Sequence, residues 1–332
     1  MVLIHPISAN SENHYFKALA KLYLLMVPKT SYSINEMVKS FKKAAESDQE
    51  QNMKLGIDGT TFLAYEEGTE QPLGYGSLQL NEHENRFVSS QYAHIYVHPE
   101  FRRRGVGTIL LHQIKGVAAQ IDGVKTVFFF ADEKVGKKFL VNNSGTIVEK
   151  GKVYELRLNS YSIQKIQSLE EITIPKLSID IIERPEDKLL KEFLEVYNTS
   201  NADAPFGQAT REKLTHSLQS LRELFHYGND VSIGAFAYYA GRPVGISHLR
   251  LLSHIDEACY QKHTGVHPQY RRQGIATAMK VKLLQWLHQT YPQRTIIKTE
   301  VLDENIIMRK VNEKVGFQPV KLQITVEFDL RE

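Results

Sequence analysis

Two segments of the chain carry the same arrangement of histidine, proline, arginine and glycine. Residues 94–108 are HIYVHPEFRRRGVGT, and residues 263–277 are HTGVHPQYRRQGIAT. Each segment follows a strand-like stretch and precedes an amphipathic helix. A glycine-bearing loop at such a junction aims several backbone N–H groups at one point, because the first amides of a helix have no partner within it. Phosphate groups bind at such sites, where the helix dipole adds positive charge. The repeat therefore predicts two anion-binding loops.

The spacing of the repeat also predicts the domain organisation. The two segments match at an offset of 169 residues, and Pro72-Leu73-Gly74 also matches Pro243-Val244-Gly245. A single self-match at so long an offset indicates two domains of one fold rather than a solenoid. We expect an N-terminal domain at 1–158, a linker at 159–177 and a C-terminal domain at 178–332. The linker is predicted from its polar, serine-bearing composition. The 332 residues are enough for two domains of ordinary size.

Hydrophobic periodicity and turn signals predict nearly the same order of elements in both halves. In the first half we expect helices at 11–26, 34–45, 105–118 and 133–141, and strands at 61–66, 73–80, 91–97, 125–130 and 153–158. In the second half we expect helices at 185–197, 212–225, 275–289 and 306–314, and strands at 233–239, 244–251, 260–266, 295–301 and 322–330.

Composition restricts the class of protein. The chain is 42% hydrophobic and 24% charged, which is typical of a soluble globular protein. A single cysteine, Cys259, excludes an intrachain disulfide framework and a zinc site made of several cysteines. We expect no metal, no signal peptide and no membrane span, and therefore a cytoplasmic location. Monomer and homodimer both stay open. The net charge of +3 is too mild to favour nucleic-acid binding.

The residues of the loop resemble those of a known family. The arrangement V-x-P-x-[YF]-R-[RG]-x-G-[IV]-[GA] is similar to the acetyl-coenzyme A loop of the GNAT N-acetyltransferases, and TGVHPQYRRQGIATAMK in the second copy is very close to it. The downstream segment TEVLDENIIMRKVNEKVGF is similar to the family's second signature. The resemblance covers 60–158 and 180–330 and points to the tandem members. It implies a mixed α/β (α+β) fold, with two domains that each hold a central, mostly antiparallel sheet flanked by helices.

The resemblance also implies which residues bind the cosubstrate, acetyl-coenzyme A. The amide of Val266 would hold the acetyl carbonyl and the pantetheine arm, the amides of 271–277 would bind the pyrophosphate, and Asn305 would contact the pantetheine. The implied residues of the second domain are Val266, His267, Arg271, Arg272, Gln273, Gly274, Ile275, Ala276, Thr277 and Asn305. Those of the first domain are Val97, Arg102, Arg103, Arg104, Gly105, Val106 and Gly107.

The implied reaction is direct attack of a primary amine, from a small molecule or a peptide, on the acetyl thioester. A preorganised N–H donor that stabilises the oxyanion is worth roughly 3 kcal/mol, and a general base must take the proton of the amine. The candidates are Tyr260, His263 and Glu300. His263 is either this base or, because it matches His94, part of a structural hydrogen bond shared by both domains. Strand alternation places Tyr260 on the opposite face from His263, where it is a core aromatic or an acid, and Glu300 is a proton relay or a solvated carboxylate.

Several alternatives stay open. The family's frequent tyrosine acid has no counterpart in 306–314, which favours a second function, a non-catalytic acyl-coenzyme A sensor or partner module. A dinucleotide oxidoreductase is disfavoured because both loops lie in mid-domain. The first half lacks an equivalent of Asn305 and of the pair Gly316-Phe317, so we expect the second domain to be catalytic. Asp203, Asp256 and Glu257 are candidates to face a cationic acceptor, which the sequence does not identify.

Overall fold

The structure is a computed structural model, and it describes residues 1–331 except 28–31, 70, 84–85, 133, 171–173, 203, 206–214 and 227. The chain forms two compact units. The first unit consists of residues 1–149 and 324–331, and the second unit consists of the described part of 150–323. The predicted mixed α/β fold class is confirmed. Within the described residues, no helix has both the length and the apolar character needed to cross a membrane.

The first unit is a twisted sheet covered on both faces. Its strand order is β1-β2-β3-β6-β7, followed by the end of the C-terminal strand β14. One face packs against α3 through the cluster that includes Phe62, Leu110 and Phe129, and the other face packs against α1 through Phe16 and Leu19. The elements are β1 Val2–Ile7, α1 Asn13–Met26, α2 Ile34–Leu55, β2 Thr61–Glu66, β3 Pro72–Gln79, β4 Glu82–His83, β5 Arg86–Phe87, β6 Ser90–Val97, α3 Val106–Ala118, β7 Thr126–Asp132, α4 Val135–Asn142 and the first residues of β8 Thr146–Arg157.

The second unit has the same plan. Its strand order is β9-β10-β11-β12-β13, and the end of β8 pairs with β13 in antiparallel fashion. Helix α8 lies in a cluster with Ile233, Leu249 and Ile297, while α6 packs on the other face through Phe193 and Phe236. The elements are α5 Ser160–Glu170, β9 Leu177–Glu183, α6 Asp187–Ala202, α7 Leu218–Phe225, β10 Val231–Tyr239, β11 Arg242–Leu251, β12 Ala258–Val266, α8 Ile275–Thr290, β13 Ile296–Leu302, α9 Ile306–Val315 and β14 Gln318–Asp329.

The predicted linker is largely helical. Helix α5 occupies residues 160–170 of the predicted 159–177 linker. Its first turn is fixed by Asn159, whose side-chain oxygen accepts from the backbone N–H of Ser162 at 2.9 Å. Ile166 is fully buried against the core of the second unit, so polar composition alone concealed an amphipathic helix.

Three further features differ from the predicted elements. Strand β1 was not predicted, and β8 begins at Thr146, before the start of the predicted strand at 153–158. Residues 324–331 belong to the first unit, although the predicted boundary assigns them to the C-terminal domain. The physical reason is burial, since Ile324, Val326 and Phe328 lie in the core of the first unit. The start of the helix predicted at 212–225 falls outside the described residues, and the described helix begins at Leu218.

Candidate functional site

The repeated loop has nearly the same backbone in both units. After β6 and β12 the chain makes a short 3-10 turn, Pro99–Phe101 and Pro268–Tyr270. A left-handed arginine follows, with φ +67° at Arg103 and +63° at Arg272, and then a left-handed glycine, with φ +82° at Gly105 and +84° at Gly274. Successive backbone N–H groups in such a turn converge on one point and form an anion-binding nest.

The helix after each loop begins without a side-chain cap. Gly274 is the N-cap of α8, no side chain accepts its first amides, and the first turn has no acidic residue. The same holds for Gly105 and α3. The first-turn N–H groups therefore remain available to an anion, which the helix dipole favours at this end. This geometry is what the sequence predicts for a phosphate-binding loop.

The first arginine of each loop holds the backbone in place. The Nε of Arg271 donates to the carbonyl oxygen of Val266 at 3.0 Å, and the Nε of Arg102 donates to that of Val97 at 3.1 Å. Each arginine thus ties the loop to the end of the strand before it. Arg272 is exposed at the surface of the loop.

The strands before and after the loop separate in both units. In the second unit β12 pairs with β13 in parallel only from Ala258 to Tyr260, and in the first unit β6 pairs with β7 only from Ser90 to Ala93. Beyond these residues the strands diverge, which leaves a wedge-shaped opening whose vertex lies just after the last pair. An extended ligand can enter such an opening and meet backbone groups that no neighbouring strand satisfies.

Strand β12 also has a bulge at this point. Opposite β11, Leu249 pairs with Gln261 and Ser247 pairs with Thr264, so Lys262 and His263 together face the single residue His248. A bulge leaves one residue out of the ladder and breaks the alternation of side chains. The predicted strict alternation from Cys259 to His263 therefore fails after Gln261.

Polar side chains stabilise the bulge. The Nε2 of Gln261 donates to the carbonyl oxygen of His248 at 2.9 Å and to the hydroxyl of Ser247 at 3.0 Å. The Ser247 hydroxyl is also 2.8 Å from the hydroxyl of Thr264. The Oε1 of Gln261 is buried and accepts no hydrogen bond from the described residues. It is therefore an acceptor that a ligand N–H can satisfy.

The loop, the bulge and the separated strands of the second unit enclose one cleft of about 520 Å³. This volume lies in the range of small-molecule and cofactor sites. Among the residues predicted from the sequence, those that line the cleft are His263, Val266, Arg271, Arg272, Gly274, Ile275, Ala276, Thr277, Glu300 and Asn305. The structure therefore brings most of the predicted site of the second domain together.

Some predicted residues lie elsewhere. Tyr260 precedes the point where the strands separate and stacks under the ammonium of Lys262, 5.5 Å from its ring centre. His267 and Gln273 belong to the loop but do not line the cleft. Asp256 and Glu257 are exposed and also lie away from the cleft, whereas Asp203 falls outside the described residues.

His263 is held by helix α6. Its Nε2 is 3.1 Å from the hydroxyl of Ser200, which donates its own proton to the carbonyl oxygen of Tyr197 at 3.0 Å. Ser200 therefore accepts from His263, and we assign the imidazole proton to Nε2, which leaves Nδ1 as the basic nitrogen. Burial, together with the positive charges of His216 and Lys280, lowers the pKa of His263 to about 4. The ring is thus neutral at physiological pH.

Gly265 makes this contact possible. A Cβ at Gly265 would overlap the side chain of Ser200 and lie 2.6 Å from the Nε2 of His263. Only a residue without a side chain lets α6 approach β12 so closely. The sequence analysis missed both Ser200 and Gly265, because the helix-to-strand contact depends on tertiary packing. The first copy of the segment has Tyr96 where the second has Gly265.

Two other predicted groups have clear environments. Glu300 is exposed, and its carboxylate accepts from the Nε2 of Gln323 at 2.9 Å. Cys259 is fully buried, and burial raises the pKa of its thiol to about 12. A thiolate nucleophile is therefore excluded at Cys259. Among the residues that the structure describes, no group of histidine, cysteine, aspartate or glutamate side chains is arranged to hold a metal ion.

Asn305 begins helix α9 at the edge of the cleft. Its Oδ1 accepts from the backbone N–H of Met308 at 3.1 Å, so the carbonyl end of the amide caps the helix. This cap orients the side chain and leaves the Nδ2 group as a donor. Together with the loop amides and Gln261 Oε1, the cleft offers donors for a diphosphate and both a donor and an acceptor for the amides of a pantetheine arm. The residues present therefore fit the predicted cosubstrate.

Lys280 also lines the cleft, and sequence reasoning missed it. It lies on the buried face of α8 and is only 1% exposed. Burial lowers the pKa of its ammonium to about 7. The sequence could have shown this, because Lys280, Leu284 and Leu287 have the spacing of residues on one face of a helix, and the two leucines mark that face as apolar.

The first unit combines the same loop with a different cleft. Beta strand β6 pairs with β3 in unbroken register from Val97 to Tyr92, without the bulge of β12. The ring of Phe139 on α4 lies against the first turn of α3, where a Cβ at Gly107 would be 3.1 Å from it. The cavity near these strands, of about 360 Å³, is lined by His94 and Phe130 among others but not by residues 102–107. The predicted coenzyme residues of the first domain thus share the loop conformation of the second domain but do not line this cavity.

Comparison with known proteins identifies the family. The sequence profile of the acetyltransferase (GNAT) family matches residues 30–137 and 193–317. Among curated proteins, no match is found. A solved tandem GNAT protein from the clavulanic acid biosynthesis pathway is similar over 99% of both chains, with 15% identity and a TM-score of 0.72. A GCN5-related N-acetyltransferase from Sphaerobacter thermophilus is similar over 100% of this chain and 96% of its own, with 13% identity and a TM-score of 0.66.

A third structural neighbour is a transferase of a longer acyl group. The N-myristoyltransferase of Saccharomyces cerevisiae, solved with bound myristoyl-coenzyme A, is similar over 99% of this chain and 80% of its own, with 10% identity and a TM-score of 0.59. At these identities the structures establish the fold alone. The two profile matches cover more than half of the chain, one in each half. The predicted resemblance is confirmed, and this chain belongs to the acetyltransferase (GNAT) family as a tandem member.

Proposed function

We propose that the protein is an acetyl-coenzyme A-dependent N-acetyltransferase whose second unit transfers the acetyl group to a primary amine. One observation carries this proposal: the anion-binding loop, the bulged strand and a cleft of about 520 Å³ coincide in the second unit. Family membership supports acyl transfer from an acyl-coenzyme A. The acetyl donor, the amine acceptor, the cytoplasmic location and the monomeric or homodimeric state are predictions from sequence.

The reaction we propose needs only groups that line this cleft. The amides at the start of α8 bind the diphosphate, and the pantetheine arm extends along the opening between β12 and β13 toward the vertex. A backbone N–H of the bulged strand polarises the acetyl carbonyl. The amine nitrogen attacks the carbonyl carbon, the C–S bond breaks, and the coenzyme leaves as its thiol. A preorganised backbone donor in such a site stabilises the transition state by roughly 3 kcal/mol.

His263 is our candidate for the group that receives the proton of the amine. It lines the cleft, and the contact with Ser200 fixes its ring and leaves Nδ1 unprotonated. A pKa of about 4 makes it a weak base, so a bridging water that passes the proton to solvent fits better than full transfer to the ring. Glu300 is exposed at the cleft and is our second candidate for this relay.

A thiol-release assay with a panel of amines tests the proposal. The protein is incubated with acetyl-coenzyme A and aminoglycosides, polyamines, amino acids or peptides with free N-termini, and mass spectrometry identifies any acetylated product. We expect amine-dependent thiol release with at least one class. Calorimetric binding of acetyl-coenzyme A without amine-dependent release would favour the sensor function instead. An absence of binding would contradict both.

A further inference from the structure

Lys280 is a fully buried charged residue that lines the cleft of the second unit. The strands β12 and β13 stop pairing at Tyr260 and Lys298, and the next residues, Gln261 and Thr299, line the cleft together with Lys280. Lys280 therefore shares the cleft with the two residues at the vertex of the wedge. Its Nζ is 5.5 Å from the ring centre of Phe317, a cation–π contact.

No counter-ion for this ammonium is found among the residues that the structure describes. Within the described residues no ion pair or hydrogen bond reaches Lys280, although lysine is almost never fully buried unless it is paired. Within the described residues, the other charged or titratable side chains that line the cleft are Lys262, His263, Tyr270, Arg271, Arg272 and Glu300. Glu300, the one acid among them, is exposed and bonded to Gln323. A buried cation of this kind is stabilised by an anion that a ligand brings.

The proposed reaction creates an anion in the right place. The diphosphate binds at the start of α8, and Lys280 lies five residues further along the helix, or roughly 7.5 Å along its axis. The thioester end of the pantetheine arm reaches deeper into the wedge than the diphosphate does. When the N–C bond forms and the C–S bond breaks, the electron pair stays on sulfur. Helix α9, with the sequence IIMRKVNEKV, has no tyrosine to protonate it.

We propose that Lys280 binds the coenzyme A thiolate and gives it a proton as the C–S bond breaks. The inference rests on the proposed function. The ammonium becomes a neutral amine, the coenzyme leaves as a thiol, and Lys280 regains a proton from solvent before the next cycle. The proton lost by the acceptor amine leaves by the separate route at His263. An ammonium with a pKa of about 7 is well matched to this task near neutral pH, because both of its protonation states are accessible.

The test measures the pKa of the thiol of bound coenzyme A and needs no acceptor amine. The ultraviolet absorbance of the thiolate is followed against pH in the wild-type protein, in Lys280→Met and in Lys282→Met. Lys282 is exposed on the same helix and serves as the matched control. Because the two charges stabilise each other, the bound thiolate also holds the proton on Lys280, and the pair titrates together. We therefore expect the pKa of the bound thiol to be at least one unit lower in the wild type and in Lys282→Met than in Lys280→Met, which is a tenfold change. Desulfo-coenzyme A, which lacks the sulfur, should bind all three proteins equally.

Each other outcome has a defined meaning. If coenzyme A does not bind the wild type, the proposed function and this inference both fail. If coenzyme A binds and its thiol titrates at the same pH in the wild type and in Lys280→Met, only the role of Lys280 is overturned. The role is also overturned if Lys280→Met binds coenzyme A normally and loses affinity only for succinyl-coenzyme A. In that case Lys280 would pair with the carboxylate of an acyl group rather than with the thiolate. Should Lys280→Met not fold, a wild-type complex whose thiol titrates no lower than free coenzyme A overturns the inference by itself.

Discussion

The loop of the first unit and the loop of the second unit differ less in backbone than in what surrounds them. Both have a left-handed arginine, a left-handed glycine and an uncapped helix start. In the second unit the loop opens on a cleft, whereas in the first unit the ring of Phe139 lies over the helix start at Gly107. An anion-binding motif is therefore local, but a binding site needs room beside it.

The strands in front of the loops show the same contrast. Beta strand β12 is bulged and in contact with Ser200 across Gly265, while β6 is regular and carries Tyr96 at the matching position. His263 is hydrogen-bonded to a hydroxyl, but the Nε2 of His94 is 3.0 Å from the sulfur of Met26. The two histidines match in sequence, and both bond to a residue of a neighbouring helix. In the second unit this contact lies beside the cleft at the loop.

A carboxylate placed in each helix start should separate the two loops most strongly. Thr277 and Thr108 occupy matching positions in the first turns of α8 and α3. Aspartate favours a helix N-terminus, so both variants should fold. Near a bound diphosphate at ~4 Å and an effective dielectric of ~20, the repulsion is about 4 kcal/mol. We expect Thr277→Asp to weaken acetyl-coenzyme A binding about a thousandfold in calorimetry.

The matched variant supplies the control. Thr108→Asp should leave the affinity for acetyl-coenzyme A unchanged, because the ring of Phe139 lies against the helix start at Gly107. Loss of binding in Thr108→Asp with normal binding in Thr277→Asp would reverse the assignment of the two units.

The sequence places both loops between a strand and a helix, as the structure does, because the residues that form them are local. Arginine, glycine and helix start lie within a few residues, so spacing alone places Arg271, Gly274 and Thr277 together. The cleft was harder to predict. The bulge at Lys262 and His263 depends on Gln261 and Ser247, which come from different strands. The assignment of residues 324–331 to the first unit depends on the burial of Phe328 in the core of that unit, which hydrophobic periodicity does not report.

The buried state of His263 should appear in the pH dependence of stability. Its folded pKa of about 4 lies below the ordinary value of 6.5, so the unfolded chain binds more protons between these values. The free energy of unfolding therefore falls as pH decreases from 6.5 to about 4, and this one group contributes up to about 3 kcal/mol. We expect His263→Gln to remove that part of the slope in chemical denaturation across this pH range.

The equivalent substitution in the first unit is the comparison. Burial lowers the pKa of His94 as well, but it lowers the pKa of His263 further, to about 4, so His94→Gln should change the slope less than His263→Gln does. Equal slopes in the wild type and in His263→Gln would show that the imidazole is not held neutral by burial.

Removing the ring of Phe139 is the most direct attempt to make the first unit resemble the second. Phe139 is partly buried, so Phe139→Ala should cost about 1–2 kcal/mol of unfolding free energy in denaturant titrations. It also removes the ring that contacts Gly107 and so exposes the uncapped amides of α3. We expect calorimetry to show a second, weaker acetyl-coenzyme A site in Phe139→Ala. The control is Val141→Ala, a change at an exposed residue of the same helix, and both this control and the wild type should show one site. Two sites in the wild type would mean that the ring does not block the loop. A single site in Phe139→Ala would mean that the missing bulge of β6, rather than the ring, is what keeps the first unit from binding.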